Sequence, residues 1–377
     1  MRTCPITGSN NFKLFYQSID ECVMTSDQRI LPGRLNKVIF KDSGVVVNLD
    51  RFSVEKLSQI YQNDYVLNTS GNDEHIFYTN KGPISRSQVY FNWVKPFIKG
   101  DFSSLIEIGA GEGRVLQKVV DTFPQLDVIG FDGSTKAVEL AQKKGVKITQ
   151  KLIFENEILP KSDVYMLLGV LEHIEDIESF IKNIVTSLNT NGRLILSIPI
   201  QDYLAYDIFF ADHIWHFTSK QFEAFLNRLG LKVIHKDTEH PINHGFGLFI
   251  CERIEQSVDT FLSDSKVLID NLNYWKSCFK NVNELIKNFA GQKITVFGAS
   301  EIFTLFMANT LLKEAQIIAC IDDTKPKGML KHGIPVYPSS WLENNQTDLL
   351  LLAVNKKYYP IIEEKFKHLN LTILPIY

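Results

Sequence analysis

Three closely spaced glycines lie between an apolar segment and a helix-like segment near the middle of this 377-residue chain. They are Gly109, Gly111 and Gly113, within the run Glu107–Leu116. Glycines let a backbone approach a ligand closely, and amides at the start of a helix offer hydrogen-bond donors. The next predicted strand, Val128–Phe131, is followed by Asp132, about 20 residues downstream, where a carboxylate can bond both hydroxyls of a ribose. A turn needed only for packing would explain one or two glycines, but not three followed by the acid.

The spacing of the glycines separates two classes of cofactor. The dinucleotide fingerprint G-x-G-x-x-G would need a glycine at position 114, which is Arg114. The pattern here is G-x-G-x-G, with Glu107 two residues before the first glycine, and it suits a ligand without a pyrophosphate. S-adenosylmethionine is such a ligand. The segment resembles the first motif of the class I methyltransferases, which is written E-x-G-x-G-x-G.

This resemblance implies S-adenosylmethionine as the cofactor and S-adenosylhomocysteine as the product. The loop Gly109–Gly113 would lie against the methionine part, Glu107 would form hydrogen bonds that order the loop, and Asp132 would bind the ribose. Phe154 and Glu155 would flank the adenine. Because the sulfonium already carries an activated methyl group, the protein has to align the acceptor and remove its proton.

Two acid–histidine pairs follow predicted strands. Ligands of open α/β sheets bind outside the carboxyl ends of the strands, and there Glu172-His173 follows Val164–Leu168 while Asp212-His213 follows Leu194–Ile198. A neighbouring carboxylate raises the pKa of a histidine and can hold the ring as a base near neutral pH. A single pair of this kind is more often a surface or helix-capping feature, so the pairs indicate a site only in combination with other motifs.

A second resemblance covers nearly the whole chain. The run Asp212–Thr218 reads DHIWHFT, and after a predicted helix and strand comes Ile242–Leu248, which reads INHGFGL. This order is similar to the C-methyltransferases that act on nucleotide-linked deoxysugars, which carry an E-H-x-x-Y-F-S motif and an H-G-G-S-L-R-like strand. Those enzymes combine a small zinc-binding module, a methyltransferase domain and a C-terminal α/β domain that resembles the segment from Ile294 onward.

The second resemblance implies a reaction and a set of catalytic residues. A base would remove a proton from the carbon beside a 4-keto group, and the resulting enolate would attack the sulfonium methyl. His213 would be that base, oriented by Asp212, with His173 near the enolate oxygen. Tyr65 would add a polar contact from the N-terminal zone, for which Tyr78 is a competing match. The expected partner is therefore a small molecule, a nucleotide-linked keto-deoxy sugar.

Departures from the family motifs leave two alternatives open. Asp212 replaces the longer Glu, His216 replaces Tyr, and no Arg follows Gly247 in the last strand. These changes favour a methyltransferase for an oxygen or nitrogen acceptor, such as a sugar hydroxyl or a phosphoramidate group in surface glycan assembly. The other alternative is a noncatalytic protein that has kept the cofactor fold.

The cysteines predict no structural zinc. The two C-x-x-C pairs of the resembling family would fall near Cys4 and Thr7, then near Phe40 and Ser43, which leaves one thiol. A closed zinc site needs four ligands, so no metal is expected. The N-terminal zone should instead be held by packing of its apolar side chains. These are Phe12, Leu14, Phe15, Phe40 and the run Val45–Val47.

The chain divides into three zones and a connector. The predicted boundaries are 1–75 for a degenerate zinc-ribbon-like module, 76–254 for the methyltransferase domain, 255–290 for a helical connector and 291–377 for a Rossmann-like substrate domain. Alternating helix-period and β-branched runs predict an α/β fold with a doubly wound sheet. The C-terminal zone has one glycine, Gly298, where three would indicate its own dinucleotide site. It is expected to close the cleft around a nucleotide or sugar, with a structural or dimerising role as the alternative.

Composition and charge exclude several classes of partner. Forty Lys and Arg against 43 Asp and Glu give a net charge of −3, so no nucleic-acid partner is expected. No apolar run approaches the roughly 18 residues of a membrane-spanning helix, so no membrane partner is expected. Five scattered cysteines and a first segment without an apolar signal core favour a reduced, cytoplasmic setting. The sequence does not indicate an oligomeric state.

Overall fold

The computed structural model describes residues 2–18, 21–50, 74–79, 81–153, 157–254, 265–369 and 371–377. The strands are β1 (Phe12–Gln17), β2 (Cys22–Met24), β3 (Ile30–Pro32), β4 (Asn36–Phe40), β5 (Val46–Asn48), β6 (Ile76–Thr79), β7 (Gly82–Ser85), β8 (Ser104–Ile108), β9 (Asp127–Asp132), β10 (Ile148–Gln150), β11 (Ser162–Leu168), β12 (Leu188–Pro199), β13 (Trp215–His216), β14 (Leu231–Asp237), β15 (Phe246–Arg253), β16 (Ile294–Phe297), β17 (Ile317–Ile321), β18 (Leu330–Lys331), β19 (Ile334–Tyr337), β20 (Leu349–Leu352) and β21 (Thr372–Pro375). The helices are α1 (Arg86–Ile98), α2 (Arg114–Thr122), α3 (Thr135–Lys143), α4 (Ile177–Ser187), α5 (Ser219–Arg228), α6 (Lys266–Asn288), α7 (Glu301–Asn309) and α8 (Tyr359–Phe366). Within the described ranges, no helix combines the length and apolar character of a membrane span.

The central sheet has seven strands in the order β10-β9-β8-β11-β12-β15-β14. Strands pair in parallel from β10 to β12, whereas β15 runs antiparallel to both of its neighbours. The predicted α/β sheet is confirmed, as a mixed sheet. The strand order reverses between β8 and β11, and ligands of such sheets bind at the carboxyl ends of the strands at that point. The glycine loop follows β8 and therefore lies at the reversal.

Strand β11 shows why this sheet is covered on both faces. Tyr165 and Leu167 belong to one apolar core and Val164 and Met166 to the other, and all four side chains are fully buried. A parallel sheet with helices on both faces needs apolar residues at successive positions rather than at alternate ones. The uninterrupted apolar run that predicted the strand has this physical cause.

The N-terminal sheet is completed by a strand from the central region. Its order is β1-β4-β5-β13, and β13 lies between β12 and α5 in the sequence. Val46 pairs with His216 and Val47 pairs with Trp215 in antiparallel register. The N-terminal residues are therefore attached to the segment that carries Asp212 and His213.

Packing of apolar side chains stabilises the N-terminal sheet, and one of the residues predicted to take part does not. Phe40 and the run Val45–Val47 are fully buried, and Phe12 packs against the same core. Leu14 was expected in this core, but 61% of its surface is exposed, so the prediction is wrong for this residue. Strand β1 is at the edge of the sheet and carries a bulge between Leu14 and Tyr16, and such an edge leaves side chains uncovered.

The positions that resemble a zinc site still lie together. The Cys4 thiol donates a hydrogen bond to Ser43 Oγ at 3.1 Å, and the Thr7 amide lies 3.5 Å from the sulfur. One thiol and one hydroxyl do not make the four-ligand set that a structural zinc needs. A buried hydrogen bond therefore joins Cys4 to Ser43.

The C-terminal sheet has the order β18-β19-β17-β16-β20-β21, and its strands are parallel except for β18. Phe209 of the central region, Trp275 of α6 and Phe306 of α7 belong to one apolar core. Tyr16 of β1 donates a hydrogen bond to Asn309 Oδ1 at 3.0 Å. The three sheets are thus joined by shared packing, and a cleft remains between them.

Candidate active site

A cleft with a volume of about 1860 Å³ opens at the carboxyl ends of the central strands. Its lining includes Gly109, Asp132, His173 and His213 from the central region, Ser26 from the N-terminal region and Ser300 from the C-terminal region. The structure therefore brings the predicted cofactor loop and both predicted histidines to one cleft. It adds residues from the two flanking regions.

The glycine loop has a backbone that only glycine adopts without strain. Gly109, Gly111 and Gly113 have φ angles of 75°, 55° and 67°, in the left-handed region. A Cβ at Gly109 would collide with the Val170 side chain, and a Cβ at Gly113 would lie 2.9 Å from atoms of Val146 and Ile148. The loop is thereby held close to the strands beneath it, and its upper side faces the cleft.

Asp132 orders this loop from the end of β9. The Gly111 amide donates to Asp132 Oδ2 at 2.7 Å, and the Ser134 amide donates to Oδ1 at 2.8 Å. Helix α2 begins at Gly113 without a side-chain cap, so its first amides are left for a ligand. Burial raises the pKa of Asp132, and the two amide hydrogen bonds partly oppose that change.

Glu107 is a buried carboxyl group with an unsatisfied oxygen. It lines the cleft, only 3% of its surface is exposed, and Oε2 has no hydrogen-bond partner among the described residues. Burial, together with the charge of Asp132, raises the pKa of Glu107 to about 8. An unsatisfied buried carboxyl oxygen fits a ligand that brings an ammonium or hydroxyl donor. Its expected part in ordering the loop stays a prediction.

Three predicted site residues lie outside the described part of the chain. They are Tyr65, Phe154 and Glu155. Leu152 and Ile153, which precede the predicted adenine segment, line the cleft beside the cofactor loop. The adenine and tyrosine assignments therefore stay predictions.

His213 faces a carboxylate other than the one predicted. Its Nδ1 lies 3.4 Å from Oδ2 of Asp207, and the same oxygen accepts from His216 Nδ1 at 3.0 Å. The expectation that Asp212 orients the ring is corrected, because the Asp212 carboxylate is bound by Ser26 and Asp207 lies beside Nδ1. Burial alone would lower the pKa of His213, but the Asp207 hydrogen bond and the charges of Asp212 and Glu172 raise it above its ordinary value.

Asp212 instead connects the N-terminal region to the second histidine. Its two oxygens accept from the Ser26 amide at 2.9 Å and from the Ser26 hydroxyl at 2.6 Å. One of them lies 3.8 Å from His173 Nδ1. A residue from the first part of the chain thus fixes a carboxylate of the central site.

His173 has its tautomer set by a backbone carbonyl. Its Nδ1 lies 2.9 Å from the Asp212 carbonyl oxygen, which can only accept, so Nδ1 carries the proton. Burial, with the charge of His213, lowers the pKa of His173 to about 4. At neutral pH the ring is therefore uncharged, with the lone pair on Nε2.

Glu172 completes a group of three possible metal ligands. Its Oε2 has no hydrogen-bond partner within the described ranges, and burial raises its pKa to about 7. The ligand atoms of Glu172, His173 and His213 all lie within 4.8 Å of one another.

Sequence reasoning missed three residues that shape the site. They are Ser26, Lys37 and Asp207. Asp207 lies six residues before His213, so an acid search in a wider window would have found it. Ser26 and Lys37 are more than 170 residues from their partners, and local sequence carries no signal for such contacts.

Comparisons with known proteins match part of the chain. Residues 85–236 match a family model described as "Methyltransferase domain". The ubiquinone biosynthesis O-methyltransferase of Rickettsia conorii is 28% identical over 164 residues, which cover 40% of this chain and 56% of that protein. The caffeic acid 3-O-methyltransferase of Rosa chinensis is 26% identical over 121 residues, 31% of this chain and 33% of that protein. The chain thus spans about half the length of the first of these relatives, and less of the second.

Solved structures give a more distant likeness. The mitomycin 7-O-methyltransferase MmcR has a TM-score of 0.36 and 20% identity, over 40% of this chain and 49% of that one. The magnesium protoporphyrin IX methyltransferase of Synechocystis PCC 6803, with bound S-adenosylhomocysteine, has a TM-score of 0.36 and 17% identity, over 44% and 81%.

The matched residues contain the glycine loop, Asp132 and both predicted histidines, His173 and His213. The closely packed glycines and the unsatisfied Glu107 oxygen fit a nucleoside ligand that brings a positively charged tail. This chain therefore contains an S-adenosylmethionine-dependent methyltransferase domain. This domain is of the methyltransferase class, and the cofactor of that class is S-adenosylmethionine.

Proposed function

We propose that this protein methylates a carbon atom of a nucleotide-linked keto-deoxy sugar through an enolate. The observation that carries the proposal is the position of His213, which lines the same cleft as the cofactor loop and turns Nδ1 toward the Asp207 carboxylate. An ionised carboxylate only accepts hydrogen bonds, so the ring keeps its proton on Nδ1 and its lone pair on Nε2. Nε2 is then the atom that receives the proton of the acceptor.

The proposed step balances within the site. His213 Nε2 removes a proton from the carbon beside the keto group, and the electron pair of that C–H bond forms the enolate. The enolate carbon bonds to the methyl carbon, and the electron pair of the broken carbon–sulfur bond stays on the sulfur of the product S-adenosylhomocysteine. The imidazolium formed on His213 faces Asp207, Asp212 and Glu172, whose charges favour it.

His173 takes a different part from the one expected. Its ring lies 4.8 Å from that of His213, nearly perpendicular at 87°. With the Nδ1 proton on the Asp212 carbonyl, the neutral ring presents a lone pair at Nε2, which would repel an enolate oxygen. We propose that His173 accepts a hydrogen bond from an acceptor hydroxyl. Tyr65 keeps its proposed part as a further polar contact from the N-terminal zone.

The C-terminal region is proposed to hold the nucleotide end of the acceptor. Ser300, Thr324 and Lys325 line the same cleft as the cofactor loop and His213, and so do the aromatic side chains of Tyr206 and Trp275. A cation with hydroxyl donors suits a diphosphate, and aromatic faces suit a base or sugar. The proposal keeps the predicted division at residues 1–75, 76–254, 255–290 and 291–377.

A second candidate function is methyl transfer to oxygen or nitrogen. The observation that favours it is the set of curated relatives, which are O-methyltransferases. A base at His213 would remove the proton of a sugar hydroxyl as readily as it would form an enolate. The acceptor would then be a sugar hydroxyl or a phosphoramidate group in surface glycan assembly.

The two candidates are separated by following a labelled methyl group. The purified protein is incubated with 13C-methyl S-adenosylmethionine and matched pairs of nucleotide-linked deoxysugars, one with a 4-keto group and one with a 4-hydroxyl. The proposal predicts a carbon-linked 13C methyl resonance with the keto sugar alone. A methyl resonance typical of an ether or amine would overturn it in favour of the second candidate.

A solvent-exchange control isolates the deprotonation step. In D2O, with S-adenosylhomocysteine in place of the methyl donor, the keto sugar should exchange the proton beside its carbonyl in the presence of the protein. His213→Gln should remove this exchange. Exchange that persists in the variant would contradict the assignment of the base.

A further inference from the structure

Behind His213 lies a buried lysine that the reaction does not use directly. Lys37 of β4 has no exposed surface, and its Nζ lies within hydrogen-bond distance of three acceptors. They are the Phe210 carbonyl at 3.0 Å, the His213 carbonyl at 2.8 Å and His216 Nε2 at 2.6 Å. An ammonium group has three protons and no lone pair, so three acceptors satisfy it completely.

This arrangement fixes the direction of every hydrogen bond that follows. Because the ammonium of Lys37 can only donate, His216 Nε2 accepts and the proton of that ring lies on Nδ1. His216 Nδ1 then donates to Asp207 Oδ2 at 3.0 Å. The other oxygen of Asp207 accepts from Gln201 Nε2 at 2.5 Å. The carboxylate is held at both ends and stays ionised.

His213 is the last member of the chain. Its Nδ1 faces the same Asp207 oxygen at 3.4 Å, so it too must donate, and its lone pair is left on Nε2. Lys37 also binds the His213 carbonyl, so the backbone that carries the base is held by the same ammonium. On the cleft side, the hydrogen-bonded series ends at His213 Nε2, which would face the methyl acceptor.

We propose that Lys37 is a positioning residue, which holds His213 in the tautomer that a base requires through His216 and Asp207. The role of His213 as the base rests on the proposed function, whereas the hydrogen-bond order is a property of the protein alone. The N-terminal sheet would therefore be part of the active site, because it supplies the charge that orders the chain.

The electrostatics of the network agree with this order. Burial lowers the pKa of Lys37 to about 7, and the charges of Asp207 and Asp212 oppose that change. Burial, with the charge of Lys37, lowers the pKa of His216 to about 4. The hydrogen bonds from His213 and His216 hold the pKa of Asp207 well below its ordinary value although burial alone would raise it. A charged lysine, a neutral His216 and an ionised Asp207 therefore coexist at about pH 6.

The test reads the His216 tautomer by 15N NMR of histidine-labelled protein at about pH 6, with His216→Asn used to assign its resonances. The wild-type spectrum should show His216 as a neutral ring with the proton on Nδ1. A proton on Nε2 would overturn the proposal without any variant or any acceptor. This measurement also stands if no methyl acceptor is found, so it separates failure of this inference from failure of the proposed function.

A matched pair of lysine variants supplies the second arm. Lys37→Met removes the ammonium but keeps an unbranched apolar stem, and Lys41→Met changes an exposed lysine of the same region. In Lys37→Met the neutral, Nδ1-protonated form of His216 should give way to a ring protonated at both nitrogens, because Nε2 loses its donor and the lysine charge no longer lowers the pKa of His216. The kcat should fall by about 10- to 100-fold because the base is misplaced. The affinity for S-adenosylhomocysteine should not change. A wild-type His216 pattern or an unchanged kcat in folded Lys37→Met would overturn the proposal.

Discussion

The central and C-terminal sheets each begin with the same strand–loop–helix–strand–acid unit. The two units differ in the cap of the helix and in the residue beneath the loop. In the central unit the Gly111 amide donates to Asp132 at 2.7 Å, and in the C-terminal unit the Ala299 amide donates to Asp322 at 3.2 Å. The hydrogen bond between loop and acid is therefore a feature of the fold. It does not by itself indicate a cofactor.

The difference lies at the helix start and beneath the loop. Helix α7 is capped by Ser300, whose hydroxyl accepts from the Phe303 amide, whereas α2 starts at Gly113 with no side-chain cap. Two residues before the first glycine stands Glu107 in the central unit and Val296 in the C-terminal unit. A helix start without a side-chain cap above a buried acid suits a charged nucleoside, whereas the C-terminal unit has a capped helix and the apolar Val296 at the equivalent position.

The largest effect on kcat is expected from replacing the proposed base, His213. This substitution leaves both strand–loop–helix–strand–acid units unchanged. His213→Ala should lower kcat by about 10²- to 10⁴-fold, since general base catalysis typically contributes that much. The dissociation constant for S-adenosylhomocysteine, measured by calorimetry, should stay the same. His244→Ala, an exposed histidine of the same cleft, is the control. A loss of less than about tenfold would show that His213 is not the base.

A pair of acid substitutions compares the two units directly. Asp132→Asn should weaken S-adenosylhomocysteine binding by about 10- to 100-fold, because a hydrogen bond to a charged group contributes about 1.5–3 kcal/mol. Asp322→Asn should leave the dissociation constant unchanged. Equal losses in the two variants would mean that the C-terminal unit also binds the cofactor.

The acid beneath the central loop predicts a pH dependence of S-adenosylhomocysteine binding. Because burial raises the pKa of Glu107 to about 8, the free protein holds this carboxyl mostly protonated at neutral pH. A cationic or hydroxyl donor of the ligand favours the ionised form, so binding releases a proton and strengthens as the pH rises toward 8. The slope should approach tenfold per pH unit.

Calorimetry at about pH 6, 7 and 8, in buffers with different ionisation heats, measures the released proton. Glu107→Gln should bind with an affinity that no longer follows the pH in this range. A flat pH dependence in the wild-type protein would contradict the assignment of Glu107 to the cofactor site.

The smallest effect is expected from the helix cap that distinguishes the C-terminal unit. Ser300→Ala removes the N-cap of α7 and should lower the free energy of unfolding by about 1 kcal/mol, measured by urea denaturation. The affinity for S-adenosylhomocysteine should not change, because the capped amides do not face the cofactor. A weaker affinity in this variant would mean that the two units act on the same ligand.

The sequence predicted those parts of the molecule that depend on neighbouring residues. The apolar run at Val164–Leu168 and the glycine loop were found because burial on two faces and left-handed backbone each require particular residue types. The contact between Asp207 and His213 was not predicted, because it depends on how the chain turns at the short 3-10 helix Asp207–Phe209. The contribution of Lys37 depends on β13 joining the N-terminal sheet, a contact between distant segments.

The central claim is that the loop Gly109–Gly113 and Asp132 hold S-adenosylmethionine. A crystal structure of the protein with S-adenosylhomocysteine tests it most directly. The account predicts that the ribose hydroxyls bind Asp132, that the amino-acid tail lies on the glycine loop, and that Glu107 Oε2 gains a donor. A nucleoside bound at Ala299 and Asp322, or elsewhere than at the central loop, would contradict it.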